Sequence, residues 1–226
     1  MSAQLPANLR ARINELLMSD PPPNADEMRV YFAALREVHD HAAKLLARYF
    51  VAFIAIWASL YAIAANIVAE GSWASLKLSN AHAALVVGPP VLGTVFYLMM
   101  SALASSTYAA RVIRLSYHHR WPKLVACGLA PLIFVPTAFS VERLLTSVSK
   151  GTRFEHLHTA WTVVMTAAVL FGTAFAVLQS VYFAATQYPG SKLAVTAASI
   201  VGILFWSRGL FLVFVFMAWE GTDDQS

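Results

Sequence analysis

The sequence predicts an all-α integral membrane protein: a bundle of five transmembrane helices, alternatively four plus one re-entrant segment, with an N-terminal cytoplasmic helical hairpin. Three observations carry that prediction. Hydrophobic residues make up 58% of the 226 and charged residues 12%, about half the charged share usual in soluble domains. Mean hydropathy is +0.60, more apolar surface than a soluble core of this size hides, whereas a bilayer accepts it directly. The apolar residues also fall in runs of 18 residues or more, long enough to cross the hydrocarbon. A secreted disulfide scaffold, a disordered tail and an ordinary cytosolic enzyme are excluded together. The single cysteine, Cys127, leaves no internal disulfide and no CxxC metal clamp.

Residues 1–48 form the predicted cytoplasmic segment. Leu9, Ile13 and Leu16 recur at helical spacing, and Ser19-Asp20-Pro21-Pro22-Pro23 ends that short helix. Asn24 with Glu27 three residues on starts the next, in the manner of a capping box. Met28, Leu35, Ala42 and Tyr49 then repeat every seventh residue, with Tyr31, Val38 and Leu45 between them. That stripe predicts an amphipathic helix packed on its hairpin partner or on headgroups.

The bundle is predicted over 49–219. Tyr49 to Ala69 is uncharged, and Glu70-Gly71-Ser72-Trp73 makes a polar turn with an interfacial aromatic. The second span is clearest from Val91 to Ala110, with Pro89-Pro90 kinking its start. Leu124 to Val141 is long enough for a third span, but Gly128, Pro131 and Pro136 break its helix. A brief amphipathic helix follows, with Val141, Leu144, Leu145 and Val148 on one side. Thr152 with Glu155 opens the fourth span, Ala160 to Ala185, which Gln187-Tyr188-Pro189-Gly190 turns into the fifth, Leu193 to Trp219. Residues 220–226 are an acidic tail.

Orientation follows from Lys and Arg. The N-terminal segment holds six, the successive loops one, four, three and one, and the tail none. Five spans with the N-terminus inside leave eleven inside and four outside; four spans leave thirteen and two. Either count puts the N-terminus in the cytoplasm, and a bacterial inner (plasma) membrane is the expected location.

Arg208 is the sharpest residue, because no other charge lies inside a predicted span. An arginine at mid-bilayer must face protein or water and find acceptors. No acidic residue lies at that depth, so the expected acceptors are backbone carbonyls freed by Pro131 and Pro136, those of Cys127 and Leu132. His39/His41, His118/His119 and His156/His158 come in pairs one or two residues apart. Such spacing points the rings apart on a helix, so no metal site is expected. Small residues four apart (Ser101, Ser105, Ala109; Ala102, Ser106, Ala110; Ala168, Gly172, Ala176; Ala198, Gly202) predict close helix seams. The dispersed basic residues exclude a nucleic-acid footprint. GxxxxGK[ST], GxSxG, HExxH and GxGxxG are absent.

Together these features favour a non-catalytic multi-pass subunit, or an assembly or regulatory protein acting through helix packing, rather than an enzyme. The alternative is a channel, pore-forming effector or small transporter with Arg208 in its pathway. No cofactor is expected. The expected partners are the lipid bilayer and either another protein or a second copy, met through small-residue faces.

Overall fold

A computed structural model describes residues 25–65, 72–73, 76–77, 83–120, 153–188 and 190–221. They form four long helices: α1 (Ala25–Ala64), α2 (Ala83–Arg120), α3 (Arg153–Gln187) and α4 (Lys192–Gly221). All four are long and apolar enough to cross a membrane. Between α1 and α2, β1 (Ser72–Trp73) and β2 (Leu76–Lys77) pair antiparallel, Ser72 with Lys77 and Trp73 with Leu76. The third apolar segment, 124–141, the amphipathic stretch after it and the first helix of the predicted hairpin lie outside the described residues.

The helix starts follow local chemistry. α1 begins one residue after Asn24, and α3 begins one residue after Thr152. α2 starts eight residues earlier than the clearest apolar window, and its helix runs through Pro89 and Pro90. Each proline lacks an amide hydrogen, so the carbonyls of Leu85 and Val86 lose their intrahelical donors. The helices hold 40, 38, 35 and 30 residues. At about 1.5 Å per residue each exceeds the ~30 Å hydrocarbon thickness.

The chain divides into two compact units. Of the described residues, one holds 25–44, 103–120, 153–165 and 215–221; the other holds 45–65, 72–73, 76–77, 83–102, 166–188 and 190–214. In the first, the charged part of α1 meets the second half of α2 through His39 and Ser106. Met28 and Ala42 are buried there, with Ala109, Val112 and Ile113 of α2. The register of α1 differs from the predicted stripe. Met28, Leu35, Ala42 and Tyr49 do form half of the covered face, but Val38 is 51% exposed and Tyr31 lies at the edge. The other half includes Phe32, His39 and Leu46, four rather than three residues along, while Leu45 of the predicted stripe is half-buried like Leu46. A polar ring is accommodated on this face at His39 because Ser106 bonds it.

In the second unit α2 is central, with Leu85, Leu92, Phe96 and Met99 almost completely buried. α1 contributes Phe53, Leu60 and Ala64, and α3 contributes Thr173, Ala176, Val177, Ser180 and Ala184. Among the described side chains of α4, Val195, Gly202 and Gly209 are buried, one residue in seven. The outward surfaces are apolar: Phe171 is 75% exposed, Tyr182 63% and Phe211 65%. A soluble protein does not present such a continuous apolar face, and lipid tails cover it at no cost. This is an integral membrane protein of helical class.

Candidate functional site

Without a hydrophobic drive between helices in lipid, close backbone approach and hydrogen bonds hold them together. α2 and α4 approach at Gly93 and Gly202. A methyl group on Gly93 would overlap the Gly202 carbonyl oxygen, and one on Gly202 would lie 2.5 Å from the carbonyl oxygen of Pro89. A turn or two further along α4, a methyl group on Gly209 would lie 2.8 Å from the Phe96 ring. Between these glycines Trp206 stacks on Phe96, ring centroids 5.9 Å apart, and Phe205 tilts against Tyr97 at 6.0 Å. The glycines remove the bulk, and the aromatics fill the space beside them.

That approach positions Arg208. Its guanidinium carbon lies 5.9 Å from the centroid of the Tyr97 ring, within range of a cation–π attraction of about 0.5–1 kcal/mol at an exposed site. The residue itself is exposed, on a helix face shared with Leu204 and Phe211, which are 60% and 65% exposed. Arg208 is near the middle of α4, roughly 24 Å along the helix from Lys192 and 18 Å from Glu220 at 1.5 Å per residue. A charge at that depth costs about 2.5–3.5 kcal/mol on insertion scales, more than the Tyr97 contact returns. The expected carbonyl partners of Arg208, at Cys127 and Leu132, lie outside the described residues.

Two further polar contacts join spans. Trp57 of α1 donates its indole N–H to Gln179 Oε1 of α3 at 2.9 Å. Trp206 donates to Thr173 Oγ1 at 3.5 Å, and that hydroxyl donates to the Leu170 carbonyl at 3.0 Å. Buried Ser180 returns its hydroxyl to Val177 of its own helix. Neither these residues nor Tyr97 stands out in the sequence, because aromatic and hydroxyl side chains carry little signal against a run of apolar ones. Gln179 alone, an amide inside a span, offered one.

Of the three histidine pairs, the side chains of His39 and His41 are described. His39 is half-buried and His41 exposed. His39 Nδ1 lies 3.0 Å from the Ser106 hydroxyl and 3.1 Å from its carbonyl oxygen. A bare Nδ1 accepts from the hydroxyl, and a protonated one donates to the carbonyl, so either form finds a partner. Nearby, burial raises the Tyr31 phenol above its ordinary value, and Tyr108 adds to the effect. The side chains of the other two histidine pairs lie outside the description; among the described residues no group of three His, Cys, Asp or Glu could hold a metal.

The small-residue rows are used selectively. Gly202 is buried and Ala198 half-buried, but Ala168 and Gly172 face outward, and only Ala176 of that row is buried. A methyl group on Gly172 would meet nothing within 4 Å. α3 packs instead along Thr173, Val177, Ser180 and Ala184. No protein-family model, no curated protein and no solved structure matches the chain.

Proposed function

We propose that this chain is a non-catalytic multi-pass membrane subunit, or an assembly or regulatory protein, acting through helix faces in a bacterial inner membrane with its N-terminus cytoplasmic. The observation that carries the reading is the exposed Arg208 on a face of α4 shared with the exposed Leu204 and Phe211. A face meant only for lipid has no use for a charge that costs several kcal/mol at mid-span. A face meant for another protein uses it for register and partner choice. The seams within the chain support the same reading, since glycine contacts and interhelical hydrogen bonds build a rigid scaffold that can present such a face.

The second reading is a channel, pore-forming effector or small transporter, and the same arginine favours it, because intramembrane charges also line aqueous pathways. Reconstitution separates the two. Vesicles holding the purified protein should stay sealed to ions and small solutes. A flux that appears with the protein and disappears with Arg208→Leu would place the pathway reading first.

A further inference from the structure

We infer that the Leu204–Arg208–Phe211 face of α4 is the docking surface for a transmembrane helix of another protein that carries a carboxylate at mid-bilayer depth. The inference rests on the subunit reading above and names the chemistry of its partner. Charge complementarity selects the occupant. The apolar stretches 49–69, 83–110, 124–141, 160–187 and 193–219 contain no Asp or Glu, so this chain supplies no counter-charge at that depth. A second copy meets the same objection, since a symmetric contact would oppose two like charges. Lipid headgroups lie too far away: the distances along α4 to Lys192 and Glu220 exceed an arginine's reach by about a factor of two or more.

The local geometry suits a carboxylate. Tyr97 lies against the guanidinium, and Phe205 tilts against Tyr97, so aromatic rings back the cation on the side of α2. Arg208 is exposed on the outer face of α4, where a carboxylate on a facing helix can accept two parallel hydrogen bonds from the planar guanidinium. Leu204 and Phe211, one turn before and after, supply apolar contacts at i−4 and i+3 that exclude lipid and water from the pair. Gly209, held against Phe96, fixes the rotation of α4 at this level.

The test uses the full chain in phosphatidylcholine vesicles, carrying Cys127→Ser and a fluorophore on Ser191→Cys in the exposed turn. The probe is a labelled leucine-rich transmembrane peptide of about 24 residues with Asp, or Leu, at its centre. Energy transfer should report association about tenfold tighter for the central Asp, equivalent to about 1.4 kcal/mol. Moving the Asp six residues toward one end, about 9 Å, should abolish the preference, as should Arg208→Leu. Arg208→Lys should retain part of it, and Arg208→Asp should transfer it to a peptide with a central Arg. That exchange keeps the test decisive if Arg208→Leu misfolds. Equal binding of the Asp and Leu peptides, or a preference that survives Arg208→Leu, would overturn the inference. So would loss of the preference on adding phosphatidylglycerol, which would make a lipid phosphate the ligand. Ion flux is read in the same vesicles: an Arg208-dependent flux overturns the subunit reading, whereas sealed vesicles with no Asp preference overturn the docking surface alone.

Discussion

Replacing the glycines of α2 to α4 one at a time by alanine should grade stability by what each new methyl group meets. Each substitution adds the same carbon, and the helix persists in a micelle in both folded and dissociated states, so the propensity difference of about 1 kcal/mol largely cancels. What remains is steric. Gly93→Ala and Gly202→Ala drive a methyl group into backbone carbonyls on the facing helix, which cannot rotate away. Relief requires α2 and α4 to separate, and overpacking of that kind costs about 1–3 kcal/mol. Gly209→Ala meets the Phe96 ring at 2.8 Å, and Phe96 is fully buried against Trp206, so its cost should approach the same range. Gly88→Ala meets Leu60 Cδ1 at 2.7 Å, a mobile side-chain end, and should cost less. Gly172→Ala meets nothing within 4 Å and should be neutral within about 0.5 kcal/mol. The assay is reversible unfolding in mixed micelles with rising dodecyl sulfate, followed by tryptophan fluorescence. The Gly202→Ala minus Gly172→Ala difference, about 1–3 kcal/mol, is a five- to 150-fold change in the folded ratio. Equal stability of those two variants would refute the close crossing of α2 and α4.

Three other outcomes are expected. A double-mutant cycle of Trp57→Phe and Gln179→Leu should give a coupling of about 0.6 kcal/mol and not above about 1.7, the range measured for interhelical hydrogen bonds in membranes; zero coupling would remove the α1–α3 bond from the account. In a Cys127→Ser background, Ser2→Cys should react only with an internal membrane-impermeant reagent, and labelling from outside would invert the topology. Ser226→Cys in the same background should label from outside for five spans and from inside for four. Elemental analysis of purified protein should find no stoichiometric iron, zinc or copper; a bound metal lost on His118→Ala or His119→Ala would contradict the reading of the histidine pairs.

The membrane class was legible because composition and run length speak directly to the bilayer, and the starts of α1 and α3 because Asn24 and Thr152 precede acidic residues at the right spacing. Which residues touch was less legible. Gly202 was found from a four-residue repeat, yet α4 is buried along a seven-residue one through Val195 and Gly209. Gly172, equally small, faces outward. In a soluble helix polarity marks the outer face, but in lipid both faces are apolar, so periodicity loses its contrast. α1 shows the same ambiguity, since two lines of apolar residues share Met28, Leu35 and Ala42, and only the neighbour Ser106 decides in favour of His39. Arg208 stood out because a charge needs no periodicity to be visible; Tyr97 did not, because nothing in the sequence links it to a residue over a hundred positions away.

The central claim, that the α4 face around Arg208 meets another protein, is tested most directly by photo-crosslinking in the protein's own membrane. A benzophenone side chain placed at Leu204 or Phe211 should give one discrete protein adduct whose partner peptide lies in a transmembrane segment containing Asp or Glu. The adduct should weaken at least tenfold with Arg208→Leu, while a benzophenone at Phe171 on α3 should label lipid. If Leu204 and Phe211 label only lipid, or label residues of this same chain, the face is not a docking surface and the account fails.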